Sequence, residues 1–324
     1  MLVRAKEEVW PLKQVFRISR GSRTETQVVV VTISDGVHRG RGECVPLRRY
    51  RQTSESVLKQ IESVAHVADL DREKLQQLLP AGAARNAIDC ALWDLDAKRG
   101  EKRVWELANL AAIDAVETSF TISLDRPDKM SAAAQSASHL PILKLKLGGD
   151  ALDAARVRSV RDAAPKSRLM VDANESWSAA HYRSIVPALL EAGVELIEQP
   201  FPAGADEILK SLDRPIPVCA DESCHTTSDL VALKDRYDAI NVKLDKTGGF
   251  TEAIRLSQHA RDQGFQLLIG CMVSTSLGIA PARLLAGLAD WTDLDGALLL
   301  ACDREDALPF ENGKLGMPSA SLWG

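Results

Sequence analysis

The sequence predicts an α/β fold, a (β/α)7β barrel preceded by a small α+β domain, and three observations carry that prediction. Lys146, Asp172, Glu198, Asp221, Lys246 and Cys271 follow one another at intervals of 23 to 26 residues, the length of one βα unit. The first 112 residues run strands first and helices after, the order of an α+β unit. Charged residues fall at one candidate strand end after another, where barrels of this kind gather their chemistry.

In the first unit, Gln27 to Ser34 is a β-branched strand, and the Asp35-Gly36 that follows is a hairpin signal. Gly40 to Val45 can return as its partner. A helix is expected from Pro80 to Gly100. There Ala84, Ala87, Ile88, Ala91, Leu92 and Leu95 keep helical spacing, with Pro80 at the start and Gly100 at the C-terminal cap. Residues 113–303 form the barrel unit. Its strands are expected to end at Ser123, Leu147, Asp172, Glu198, Asp221, Val242 to Lys246, Cys271 and Asp293 to Asp295. Amphipathic stretches such as Ala151 to Ala164 and Thr251 to Gln263 lie between them. After Cys302 no helix is long enough to finish an eighth unit, so residues 304–324 are expected to return to, and complete, the 1–112 unit.

Composition bounds the function. The net charge is −5, with 45% hydrophobic and 26% charged residues, which points to a globular protein and away from a nucleic-acid surface. Six scattered cysteines form no CxxC pair, so neither a disulfide framework nor a zinc site is indicated. The charged N-terminus is not that of a signal peptide, and no apolar run spans a bilayer. The expectation is a cytoplasmic protein without nucleic-acid or membrane partners, with homo-oligomerisation left open.

The strand ends read Lys144-x-Lys146, Asp172-x-Asn174, Glu198-Gln-Pro200, Asp221-Glu-Ser223 and Lys243-x-x-Lys246-x-Gly-Gly249. Three carboxylates on adjacent strands converge at a barrel mouth, where they repel one another unless a cation is present. An all-oxygen set suits a hard divalent ion, Mg²⁺ foremost. Lysine strands flank the carboxylate strands. Lys144 and Lys146 share a face, and each is expected to lower the other's pKa towards that of a usable base. The chemistry that needs these parts is proton abstraction next to a carboxylate, with a base on each face and a metal opposing the charge that develops. Spacing does not choose between Lys243 and Lys246. Singly, each residue has an ordinary reading: an Asp after a strand as a helix N-cap, the Gly-Gly pairs as turns, Cys219, Cys224 and Cys271 as small buried residues.

Together the set resembles the enolase superfamily, muconate-lactonising subgroup, and within it the dipeptide epimerases. The likeness extends to Ser19-Arg-Gly-Ser-Arg23, the helix through Asp94, Ala220-Asp-Glu-Ser-Cys-His225 and Asp293-Leu-Asp-Gly296. It implies a modified TIM barrel under a capping domain, with one Mg²⁺ held by Asp172, Glu198 and Asp221. It chooses Lys146 and Lys246 as the two bases, with Lys144 supporting Lys146. It further implies that Arg23 meets the substrate's side-chain carboxylate and that Asp293 and Asp295 hold its ammonium, while Cys271 and Met272 line the pocket. The implied reaction interconverts Ala-D-Glu and Ala-L-Glu through an enediolate, a step in murein peptide recycling.

Two departures bear on specificity. Pro46 to Thr53 lacks the Tyr-Gly-Glu expected after the arginine, and Ala297 follows Gly296 in place of proline. Other reactions of the same fold remain open: o-succinylbenzoate synthesis, N-acylamino acid racemisation and muconate cycloisomerisation. Outside it stand a Schiff-base aldolase and a barrel without catalysis.

Overall fold

The computed structural model describes residues 1–324. Its first layer is an antiparallel sheet of β1 (Leu2–Ile18), β2 (Gly21–Ser34) and β3 (Arg39–Cys44), in that order. The Asp35 carboxylate accepts the amides of Val37 and His38 and closes the β2–β3 turn. The run of valines in β2 is buried on both faces. Val29, Val31 and Ile33 join the core beneath helices α1 (Ser54–Val64), α2 (Arg72–Leu78) and α3 (Ala83–Arg99), whereas Val28 and Val30 join the barrel's core. A strand sandwiched in this way gains from apolar residues at every position. β1 escaped the sequence reading because it is an edge strand whose face is largely exposed and charged, from Arg4 to Glu8. Helix α3 begins three residues after Pro80, with Gly82 at its N-cap and Gly100 at its C-cap.

After a short strand, β4 (Ala115–Glu117), eight parallel strands follow in sequence order. They are β5 (Phe120–Ile122), β6 (Ile142–Lys146), β7 (Arg168–Asp172), β8 (Val194–Glu198), β9 (Val218–Ala220), β10 (Ala239–Val242), β11 (Gln266–Gly270) and β12 (Trp291–Asp293). The seam between β12 and β5 is drawn together by Ser119, whose amide donates to the Thr292 carbonyl, and by Asp295, which accepts the Thr121 amide at 2.6 Å. The sixth barrel strand stops at Val242, earlier than expected, and Lys246 sits on a single helical turn, Leu244–Thr247.

Period-two alternation builds the barrel interior in layers. Ile142, Met170, Leu196, Cys219, Ala239, Leu268 and Trp291 form a separate apolar plug. Two residues further along the chain come Lys144, Asp172, Glu198, Asp221, Asn241, Gly270 and Asp293, polar at every position but the glycine. The polar cluster therefore stands on a dry floor, where charge interactions are weakly screened.

After β12 a hairpin of β13 (Phe310–Glu311) and β14 (Lys314–Gly316) pairs with β4. The chain then crosses to α3, where Trp323 donates to the Cys90 carbonyl and the Gly324 amide to Asp94. No helix is long and apolar enough to cross a membrane.

Candidate active site

Lys146, Asp172 and Glu198 are register partners across β6, β7 and β8. Asp221 follows β9, whose Cys219 pairs with Glu198. The repulsion expected among three bare carboxylates is answered by four ammonium groups. Lys146 lies 2.5 Å from Asp172, Lys243 2.6 Å from Asp221, and Lys246 2.7 Å from the other Asp221 oxygen. Lys144 bridges Asp293, at 2.5 Å, and Glu198. Burial pushes every one of these carboxylates up. Lys146 and Lys144 outweigh that at Asp172, and Lys243 and Lys246 hold Asp221 well below the usual range. Only Glu198 is raised, by burial and by Asp172. The lowering expected from paired lysines does not appear at Lys144. Burial works in that direction, but Asp293 and Glu198 outweigh it and hold the ammonium above its ordinary value.

The lysines divide by access. Lys146 and Lys243 line a cavity of 340 Å³ at the barrel mouth, whereas Lys144 and Lys246 do not. Lys246, expected as the second base, is sealed: its ammonium donates to the carbonyls of Asp221 and Asn241 as well as to the Asp221 carboxylate. Lys243, set aside in the sequence reading, directly follows β10 and reaches the cavity. The physical reason is the early strand end, which turns Lys246 back under the mouth. Lys144, expected to support Lys146, is likewise a buried counterion, paired with Asp293 and Glu198.

Capping-domain side chains hold the turn that carries both lysines. Asn86 donates to Asp245 at 2.8 Å, Arg85 to the carbonyls of Thr247 and Gly248, and Asp89 accepts the Thr251 amide and hydroxyl. Gly249 has φ 122°, and a Cβ there would lie 2.5 Å from the Asp89 Cβ, so the second glycine is required for this approach. The Gly148 and Gly149 amides are taken by the Asp153 carboxylate, which leaves them no phosphate to bind.

Arg23, Cys271, Met272, Asp293 and Asp295 line the cavity, together with Arg20, Arg49, Tyr50, Asn174 and Glu222. Arg20 pairs with Glu175 and Glu222, and Arg49 with Glu175. Arg23 has no carboxylate partner; its guanidinium stands 5.5 Å over the Phe16 ring. The two aspartates also differ. Asp293 is occupied by Lys144 and Ser119. Asp295 holds only the Thr121 amide, and burial together with Asp293 pushes its carboxyl up to about 6.

The donor set fits a hard divalent cation. Three buried carboxylates stand at one level, and Glu198 Oε2 and Asp221 Oδ1 are met only by the ammonium groups of Lys144 and Lys246, positive charge where a cation would sit. No three of them are gathered around a single point in this geometry, and each is paired with an ammonium group.

Residues 1–108 match the mandelate racemase / muconate lactonizing enzyme N-terminal domain, and residues 129–320 the enolase C-terminal domain-like family. The chain belongs to the enolase superfamily. Its relatives place it among the isomerases of that superfamily. It is 46% identical to an L-Ala-D/L-Glu epimerase of Escherichia coli K12 over 97% of this chain and 98% of that one. It is 42% identical to an N-acetyl-D-glutamate racemase of a Pseudoalteromonas species, over 92% and 95%. Among solved structures, an enolase family member from Agrobacterium tumefaciens with homology to dipeptide epimerases, holding sodium and L-Ala-L-Glu, superposes with a TM-score of 0.97. It shares 46% identity over 99% of both chains. Within the superfamily frame, Arg20 and Tyr50 are cavity residues to which sequence reasoning gave no role, and Lys243 is one that spacing left open and the resemblance did not choose. The first two lie in capping loops that no periodicity marks. The signal for Lys243 was its spacing of two from Asn241, which donates to Glu198 at 2.7 Å.

Proposed function

We propose that the chain interconverts L-Ala-D-Glu and L-Ala-L-Glu by removing and returning the glutamate α-proton, with Lys146 and Lys243 as the two bases. The observation that carries the choice of substrate is the pair of unspent charges in the cavity: Arg23, a cation without a carboxylate, and Asp295, a carboxylate without a cation. A dipeptide with a free N-terminus and an acidic second residue satisfies both. Arg23's planar fork suits the side-chain carboxylate, and Asp295 suits the ammonium. The E. coli relative's activity supports this substrate. The murein context rests on the chemistry of this dipeptide alone.

Asp172, Glu198 and Asp221 are the residues that would hold one Mg²⁺, which supplies positive charge against the substrate carboxylate as negative charge develops there. Lysine bases with Mg²⁺ are the superfamily's way of stabilising an enediolate. Lys146 on β6 and Lys243 after β10 come from separate arcs of the barrel, so one amine takes the α-proton from one face and the other ammonium returns one from the opposite face. Lys144 and Lys246 pair with the carboxylates and hold them in place.

A second reading is racemisation of an N-acylated glutamate, favoured by the 42% identity to the N-acetyl-D-glutamate racemase. Asp295 separates the two, because an acyl nitrogen brings no charge to it. Comparing kcat/KM for L-Ala-L-Glu and for N-acetyl-L-glutamate under identical conditions is the test. The dipeptide is expected to be preferred; preference for the acyl amino acid would replace the first reading by the second.

A further inference from the structure

Glu175 follows the β7 strand end by three residues, and its side chain is 7% exposed. Its backbone is left-handed, with φ 69° after Asn174 at 44°, a conformation that a glutamate rarely adopts and that the surrounding contacts must hold. The side chain gathers four donors. Arg49 binds it through two nitrogens, at 2.9 and 2.7 Å, Arg20 at 3.0 Å, and the Ala203 amide at 2.8 Å. Arg49 belongs to the short turn Arg48–Tyr50, and Arg20 to the turn between β1 and β2. Two separate capping loops thus end on one barrel carboxylate. Arg20 is further tied to the Asn174 carbonyl and to Glu222.

The loops also carry cavity walls. Tyr50 is next to Arg49, and Arg23 lies three residues beyond Arg20. We infer that Glu175 is a positioning residue for substrate selectivity: it anchors both capping loops over the cavity and occupies Arg20 and Arg49, leaving Arg23 as the cation offered to the substrate's side chain. A bidentate arginine–carboxylate pair fixes direction as well as distance, which a wall that must present one guanidinium requires. The inference rests on the proposed dipeptide reading for its kinetic consequence and is independent of it for the anchoring.

The test is Glu175→Gln in the full chain with Mg²⁺, read in two ways. Hydrogen exchange without dipeptide should rise together in residues 16–24 and 47–52. KM for L-Ala-L-Glu should rise roughly tenfold while kcat falls by less than about threefold, and the preference for Glu over an uncharged second residue should shrink. Should that variant not fold, the double variant Arg20→Gln/Arg49→Gln removes both arginine pairs with Glu175 from the exposed side, together with the ties of Arg20 to Glu222 and the Asn174 carbonyl. Arg49→Gln alone should loosen only residues 47–52. Exchange that stays low in either loop of Glu175→Gln, or a fall in kcat at unchanged KM, would overturn the assignment. If the wild type does not turn over the dipeptide, the proposed substrate fails and the exchange data alone decide the anchoring.

Discussion

Lys146 and Lys243 reach the same cavity from the β6 and β10 sides of the barrel, and each rests its ammonium on a different carboxylate of one cluster, Asp172 at 2.5 Å and Asp221 at 2.6 Å. Behind each stands a sealed lysine, Lys144 and Lys246. On the proposed reading the open pair transfers the protons and the sealed pair balances charge. Lys146→Ala and Lys243→Ala should each reduce epimerisation by on the order of a thousandfold or more. The surviving base should still exchange the α-proton of one epimer with solvent. Lys246→Ala should lower stability by leaving Asp221 short of a partner. Solvent exchange by Lys246→Ala confined to one epimer, with Lys243→Ala epimerising normally, would return the second role to Lys246.

The carboxylate cluster predicts metal dependence. Chelation should abolish turnover, and Asp172→Asn, Glu198→Gln and Asp221→Asn should each reduce it by on the order of a thousandfold. Titration calorimetry with Mg²⁺ separates the causes, since the ligand variants should lose binding whereas Lys146→Ala should retain it. Full activity of chelated enzyme would remove the metal from the account.

Much of this was legible in the chain. The βα period is an outcome of helix and strand lengths, so it located the strand ends from Leu147 to Cys271, and the carboxylates among them. What was not legible depended on where a strand stops and what faces it across space. Lys243 and Lys246 are both strand-end candidates by spacing, and the helical turn at Leu244 that separates them has no sequence mark. Glu175 reads as an ordinary loop acid until Arg20 and Arg49, about 155 and 126 residues away, are seen to meet it. β1 hid because an exposed edge strand carries charge where alternation is sought.

Asp295 and Arg23 should act on opposite ends of the substrate. Asp295→Asn should cost roughly ten- to a hundredfold in kcat/KM for L-Ala-L-Glu, the loss of one charge-assisted contact, with Mg²⁺ affinity kept. Arg23→Met should raise KM for a glutamate second residue and leave an uncharged one little affected. Equal losses on both dipeptides would show that Arg23 shapes the pocket without reading the charge.

The contact between Asp89 and Thr251 gives a pH prediction. Burial pushes the Asp89 carboxyl up to about 6 from an ordinary 3.8. A group raised in the fold favours the folded state fully below its unfolded pKa, and that contribution is lost as pH rises through the folded value. Between pH 5 and 7.5 the loss is about 1 kcal/mol. Asp89→Asn keeps a hydrogen-bonding group towards Thr251 and cannot ionise. Urea unfolding at the two pH values should therefore show a drop smaller by about that amount in the variant; identical drops would mean that Asp89 does not titrate in this window.

The central claim is tested most directly by following the glutamate α-proton of L-Ala-L-Glu by NMR in D₂O with enzyme and Mg²⁺. The account predicts that the α-proton signal disappears while L-Ala-D-Glu, deuterated at that carbon, accumulates to equilibrium, and that neither change occurs with Lys243→Ala and Lys146→Ala combined. An α-proton that persists in the wild-type sample, with no second epimer formed, would contradict it.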